Sequence, residues 1–276
     1  MPSVPRESKS TWITRLGARP VVHRAIRLLR VRQLAARVLA FVPLRVKLKR
    51  TTYRVRFLES LLIADEIFKR EVYRAAFEGR TIRTFVDVGS NVGYFPLYAV
   101  EHTGRKDLLG LVIDGNEEMA SESRWHVEKA ELPRTRVIHG LVGHPAGVSE
   151  ATFYVNPSNI ASSAQPKLNP RLPSKGESHP VTVPVVDLLA QWRKLAGDAR
   201  IDLLKVDVEG FECELLRNCA EVLAITDRIV IEWHKWVTTR EEIGALLSTH
   251  GFELRCVTSE DEDAGVAVYD RPHSDA

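Results

Sequence analysis

Two short segments bring together side chains of the types that move protons or hold hard cations. Asp207 and Glu209 stand two residues apart in Ile201-Asp-Leu-Leu-Lys-Val-Asp-Val-Glu-Gly-Phe-Glu, and Glu232 and His234 stand two apart in Ile231-Glu-Trp-His. Carboxylates and an imidazole can take a proton from a poor nucleophile near neutral pH. The same groups, two hard oxygens with one nitrogen, suit Mg²⁺ or Mn²⁺, so Asp207, Glu232 and His234 are also candidate metal ligands. The plainer use of these residues is an ion pair between Lys205 and Glu209, with His234 as a satisfied rim histidine.

A second constellation lies upstream. In Thr84-Phe-Val-Asp-Val-Gly-Ser-Asn-Val-Gly-Tyr-Phe-Pro-Leu-Tyr an apolar strand over 82–88 runs into Gly89, and a helix is expected to begin near Asn91 or Val92. Gly89 and Gly93 let a ligand approach the backbone, and the start of the helix offers free N–H groups. The dinucleotide fingerprint would need glycine at 89, 91 and 94, where this chain has Gly89, Asn91 and Tyr94. The missing middle glycine is the one that admits a pyrophosphate, which weighs against NAD and FAD. The next strand, 108–113, ends in Asp114, 21 residues after Gly93. A carboxylate there can accept both ribose hydroxyls of an adenosine, while Asp87 or nearby backbone faces a charged ammonium end, and that combination suits S-adenosylmethionine. The cofactor-side candidates are Asp87, Gly89, Asn91, Gly93, Tyr94, Asp114, Gly115 and Asn116. Gly140 and Leu141, which open the loop after the third strand, and Asp207 complete the set.

Positioning these groups requires an alternation of strands and helices. Asn116 caps a helix with Glu117 and Glu118 in its first turn, running to about Ala130. Strands follow at 136–139, 151–155, 181–185, 201–206 and 228–231, with helices from Asp187 to about Leu195 and from Phe211 to Cys219. Thr238 with Glu241, or Thr239 with Glu242, makes a capping box for a helix ending at Gly251, and strands at 252–257 and 266–269 close the sheet as an antiparallel pair. Ligands in such open sheets sit at the carboxyl ends of the strands, where Asp87, Asp114, His139, Lys205, Asp207, Glu209, Glu232 and His234 all fall. Trp125, Trp233 and Trp236 read first as packing residues, with the last two able to wall an acceptor pocket.

Composition divides the chain. Residues 1–58 carry 15 Lys and Arg against the single acid Glu7, leaving 24 basic against 35 acidic residues in 59–276. The domain reading follows that division: a basic extension over 1–58 and a catalytic domain over 59–276. An Arg-rich amphipathic helix is expected from about Val21 to Phe41, and a strand over Arg45 to Arg56. The helix either packs its apolar side on the catalytic domain, with arginine solvating the other face, or residues 12–56 meet an anionic membrane surface; nucleic acid is disfavoured because few aromatics interleave the basic residues. No apolar run approaches the roughly 18 residues that cross a bilayer. Three cysteines, 213, 219 and 256, form no CxxC pair, which fits a reducing compartment, cytoplasmic and at most peripheral at the inner face of the membrane.

Taken together, Phe85-Val-Asp-Val-Gly-Ser-Asn-Val-Gly-Tyr, Asn159-Ile-Ala-Ser-Ser, Val183-Pro-Val-Val-Asp-Leu-Leu, the Lys205-Val-Asp-Val-Glu-Gly stretch and Ile231-Glu-Trp-His resemble the FkbM family of S-adenosylmethionine-dependent methyltransferases over about residues 60–270. The resemblance implies a class I, Rossmann-like, doubly wound seven-stranded α/β fold. It also implies O-methylation of a hydroxyl on a sugar, glycolipid or polyketide-type product. Similar members end the second strand with Glu-Pro-Asn, whereas this chain has Asp114-Gly115-Asn116. On this reading Asp207 and Glu209 orient or deprotonate the acceptor, His234 is the next candidate base, and the loop holding Ser162 and Ser163 is an acceptor-side lid. N-methylation of an amine or peptide is the enzymatic alternative, and a non-catalytic S-adenosylmethionine-binding protein acting through its basic arm is the third.

Overall fold

A computed structural model describes residues 31–156, 162–164 and 178–272. In chain order it has α1 (Val31–Phe41), β1 (Leu44–Lys47), β2 (Thr52–Val55), α2 (Ser60–Phe68), a 3-10 turn (Arg74–Phe77), β3 (Thr84–Val88), α3 (Tyr94–Thr103), β4 (Leu109–Asp114), α4 (Glu117–Lys129) and β5 (Thr135–His139). Then come β6 (Glu150–Val155), β7 (His179–Pro184), α5 (Leu188–Ala196), β8 (Leu203–Val206), α6 (Glu212–Asn218), α7 (Ala220–Ala224), β9 (Arg228–His234), α8 (Arg240–Thr249), β10 (Glu253–Glu260) and β11 (Ala264–Asp270).

Seven strands form one sheet in the order β10-β11-β9-β8-β3-β4-β5. Pairing is parallel from β5 through β9, and β11 then runs antiparallel to both β9 and β10. β3 and β8 lie side by side at the point where the winding reverses, which is where an open parallel sheet leaves a crevice. The central strands read as continuous apolar runs because both sheet faces are covered, and all six residues of β4 are buried. One face packs on Ile67, Tyr94, Phe95 and Leu97 of α2 and α3, the other on Trp192, Leu216, Ile243 and Leu247 of α5, α6 and α8. The expected caps are present. The Asn116 side chain accepts the Glu118 N–H, and Thr239 accepts the Glu242 N–H.

Several elements differ from the sequence expectation. Arg45 to Arg56 is a hairpin, not one strand: Leu44–Lys47 pairs with Thr52–Val55. Its turn holds no glycine or asparagine. The carboxylate of Glu101, at the end of α3, supplies the missing acceptor and takes the N–H groups of Arg50 and Thr51. Val46, Tyr53 and Val55 of the hairpin are buried in the same core as α3. The first helix of the doubly wound unit begins at Tyr94, later than expected, because Asn91 and Gly93 both take left-handed backbone. Pro96 therefore falls in the first turn, where its missing N–H costs nothing. β9 continues to His234, so Glu232 and His234 lie inside the strand rather than beyond it. β6 and β7 form a two-stranded sheet of their own. The expected helical residues 21–30, residues 1–11 and most of the loop between β6 and β7 lie outside the described residues.

Candidate active site

The turn after β3 is locked by its neighbours. A Cβ on Gly89 would lie 1.6 Å from the Asp207 carbonyl oxygen, so only glycine lets the ends of β3 and β8 meet there. The Asn91 N–H donates to Asp114 Oδ2 at 2.7 Å, and the Asn116 N–H donates to Asp114 Oδ1 at 2.8 Å. Asp114 thus ties the glycine turn to the tip of β4, and each oxygen keeps a second lone pair for a ligand. Burial pushes the Asp114 carboxyl up to about 7, against the pull of the two N–H donors and of Lys205.

Asp87 is fully buried at the end of β3, and its Oδ1 lies 3.2 Å from Lys205 Nζ. Burial raises its pKa while Lys205 opposes the rise. Oδ2 has no hydrogen-bond partner among the described residues. Lys205 Nζ also donates to the Gly89 carbonyl at 2.6 Å and lies 3.4 Å from Asp207. Burial works against the Lys205 charge, but Asp87 and Asp207 outweigh it and keep the ammonium protonated.

Two clefts open at these strand ends. The first, of about 650 Å³, runs over Gly89, Asn91, Asp114, Gly115, Asn116, Gly140 and Leu141, with apolar walls from Met119, Phe153 and Phe211. It gathers most of the cofactor-side candidates. Asp87, Gly93 and Tyr94 do not line it. Gly93 is where the turn meets α4, since a Cβ there would lie 2.7 Å from Ser123. Tyr94 is a core residue packed on Tyr53, Phe68 and His126, and its hydroxyl donates to the Arg54 carbonyl. The second cleft, of about 760 Å³, is lined by Ile63, Glu66 and Ile67 of α2 with Tyr73, Phe95, Lys205 and Glu232. Gly89, Asn91, Asp207 and Glu209 line both clefts.

The second cleft is acidic. Glu66, Asp207, Glu209 and Glu232 face one ammonium, Lys205. Burial first, and then the Asp207 charge, raise the pKa of both Glu66 and Glu232. Glu66 escaped the sequence reading because an acid inside the apolar run Leu61 to Ile67 looks like an ordinary helix-surface residue.

Behind Glu209 stands a line of three groups. His234 Nε2 lies 3.3 Å from Glu209 Oε2, and His234 Nδ1 lies 2.7 Å from Glu212 Oε1. Burial disfavours the imidazolium, but the two carboxylates overcome it and raise the His234 pKa. Glu209 itself is raised by burial and by Asp207, with His234 opposing. Its backbone sits at φ +50°, a conformation few non-glycine residues adopt, and its carbonyl accepts the Ser163 hydroxyl at 2.6 Å. Glu212 also escaped the sequence reading; its only signal was its place three residues after Glu209.

One ligand atom each of Asp207, Glu232 and His234 lies within 4.8 Å of the other two, the spread a single cation can bridge. Ser162 lines the first cleft. Among the other candidates, His139 bonds Glu117 and the Gly115 carbonyl, Trp125 stacks on Arg54, and Trp233 is core. The Trp236 ring lies 4.5 Å from that of His234.

A protein-family model described as the methyltransferase FkbM domain matches residues 18–254, so the match begins inside the basic extension. A curated protein of Beauveria bassiana, Methyltransferase 1, is 27% identical over 185 residues, covering 63% of this chain and 74% of its own. Among solved structures, an Aquifex aeolicus SAM-dependent methyltransferase overlays with a TM-score of 0.44 at 14% identity, covering 76% of this chain and 93% of that one. A Streptococcus pneumoniae protein described as a putative tRNA (m1A22) methyltransferase, solved with S-adenosyl-L-methionine, overlays with a TM-score of 0.45 at 13% identity, covering 75% of each chain.

Proposed function

Because the chain belongs to the FkbM methyltransferase family, and is thus an S-adenosylmethionine-dependent methyltransferase, we propose that it methylates a hydroxyl oxygen on a sugar, glycolipid or polyketide-type natural product. The observation that carries this reading is the wall the two clefts share: Asp207 and Glu209 touch the cofactor side and the acceptor side at once.

The residues of the first cleft fit the cofactor by their chemistry. Asp114 keeps lone pairs for ribose hydroxyls, and Met119, Phe153 and Phe211 offer apolar walls for a base, while Asp87, buried behind the cleft, holds Lys205 rather than reaching the ligand. When bound, S-adenosylmethionine supplies a methyl group activated by its sulfonium. The chain must then hold the acceptor oxygen in line and remove its proton, because a hydroxyl is a poor nucleophile at neutral pH. Glu209 is the group placed for this. It borders the acceptor cleft, and burial raises its proton affinity. His234, held by Glu212, pairs with the Glu209 carboxylate and orients it to take the hydroxyl proton, which leaves Glu209 neutral once the methyl has transferred. Asp207, beside Lys205, orients the hydroxyl.

A divalent cation on Asp207, Glu232 and His234 is the other means of acidifying the hydroxyl, favoured by the convergence of their ligand atoms. Turnover that stops with chelator and returns with Mg²⁺ or Mn²⁺ selects that route. Methylation of a cationic amine is the second reading, favoured by four carboxylates facing one lysine in the acceptor cleft. Incubation with methyl-labelled S-adenosylmethionine and a crude glycolipid extract decides the matter. Label in methoxyl carbon supports the proposal, whereas label only in N-methyl groups of added amines rejects it.

A further inference from the structure

We propose that α1 is an interfacial helix that seats the protein on an anionic lipid surface. The inference is independent of the chemistry at the strand ends. It starts from an apolar face that nothing covers among the described residues. Leu34 is 63% exposed, Val38 53%, Phe41 86% and Val42 70%. Leu34, Val38 and Phe41 follow one another at spacings of four and three, so they share one face of α1. Leu39, on the other side of the helix, packs with Leu44 against the protein core. The helix is therefore held to the body along one side and presents a stripe of large apolar side chains along the other. An exposed, contiguous apolar stripe marks a surface that meets something.

The charge around the stripe selects the partner. Arg37, Arg45, Lys47 and Lys49 are exposed, and none forms an ion pair with an acid among the described residues. Residues 1–30 add seven Lys and Arg against Glu7, all of the same sign. A second copy of this chain would bring an equally basic face, and residues 1–30 would bring more positive charge, so neither is a complementary cover. A nucleic acid would satisfy the charge and leave the stripe in water. An anionic bilayer satisfies both at once: apolar side chains enter the acyl boundary while the arginines and lysines meet the headgroups. No helix among the described residues is long and apolar enough to cross a membrane.

Sedimentation of the full chain with vesicles tests this. With phosphatidylcholine vesicles containing phosphatidylglycerol the protein should pellet, and it should be released by raised salt; with phosphatidylcholine alone it should stay in solution. Leu34→Glu with Phe41→Glu should weaken binding by about tenfold or more. Arg37→Glu with Lys47→Glu should weaken it while leaving the stripe intact. Because all four side chains are exposed, both variants should keep the parent melting temperature and S-adenosylmethionine affinity, which separates lost docking from lost folding. Equal binding to neutral and anionic vesicles, or vesicle binding unchanged in the Leu34 and Phe41 variant, would overturn the proposal. So would a concentration-dependent dimer dissolved by Phe41→Glu in a protein that ignores vesicles.

Discussion

Glu212 Oε1 lies 2.7 Å from His234 Nδ1 and also accepts the Gly210 N–H at 2.9 Å, and the Glu212 side chain is fully buried. One carboxylate thus fixes both the ring that backs Glu209 and the turn that carries Glu209. A group behind the reacting residues is worth about 10- to 100-fold when it orients them. Glu212→Gln should lower kcat by roughly tenfold or more while leaving S-adenosylmethionine affinity within about threefold. Steady-state kinetics beside calorimetry reads the two separately, and a variant that loses cofactor binding and kcat together would show Glu212 to be a folding residue instead.

Asp114 makes a different prediction because it lines the first cleft and ties down the glycine turn at once. Asp114→Ala leaves the Asn91 and Asn116 N–H groups without their acceptor, each a loss of about 1–3 kcal/mol if water cannot replace it. S-adenosylmethionine affinity should fall by roughly 10- to 100-fold. Calorimetry showing unchanged affinity would remove Asp114 from the ribose site.

The same residue gives the ligand-free protein a pH dependence. A carboxyl raised by burial to about 7 keeps its proton in the folded state where the unfolded chain has lost it. Its contribution is fully present below the unfolded value of about 4 and is lost as pH rises through about 7. The groups around it, Lys205 and Asp87, act in opposite directions on it. Thermal unfolding without ligand should therefore show a midpoint that declines between about pH 4 and pH 7, and Asp114→Asn should flatten that decline by an amount on the order of 5 °C.

Arg54 ties the hairpin to α4. Its guanidinium pairs with Glu122, which is 1% exposed, and lies 4.0 Å above the Trp125 ring, while its N–H donates to His126. Arg54→Ala leaves the buried Glu122 carboxylate with only Arg56, 3.9 Å away, and should cost about 3 kcal/mol, read as a lower unfolding midpoint. Arg54→Ala with Glu122→Ala should recover much of that loss, since no unpaired charge then remains; a double variant as unstable as the sum of the two singles would deny the coupling.

Gly89→Ala should abolish cofactor binding, because a left-handed backbone and a carbonyl oxygen 1.6 Å from the new methyl cannot both be accommodated without parting β3 from β8. Cofactor binding at parent affinity in that variant would show that the strand ends can part without harm to the cleft.

Much of this arrangement was written locally. The continuous apolar strands, the Asn116 and Thr239 caps and the acid at the tip of β4 depend on residues close in sequence, and each was legible there. What was hidden depends on partners far along the chain. The hairpin turn at Lys49 and Arg50 forms because Glu101, some fifty residues away, accepts its N–H groups. Glu122 and His126 read as ordinary polar residues of a helix, and their burial follows from Arg54, which reaches them from β2. Tyr94 sits next to the glycine turn in sequence, yet helix geometry carries its ring away from the cleft and into the aromatic core.

The wall shared by the two clefts has a consequence for how the protein can be altered. Gly89, Asn91, Asp207 and Glu209 border both spaces, so on the proposed reading a change at any of them should shift the Michaelis constants of both substrates together. Residues that border one space alone are the independent handles: Met119 and Phe153 for cofactor analogues, Ile63 and Ile67 for acceptor size. On that reading, acceptor preference is open to redesign from α2 without rebuilding the methyl-donor side.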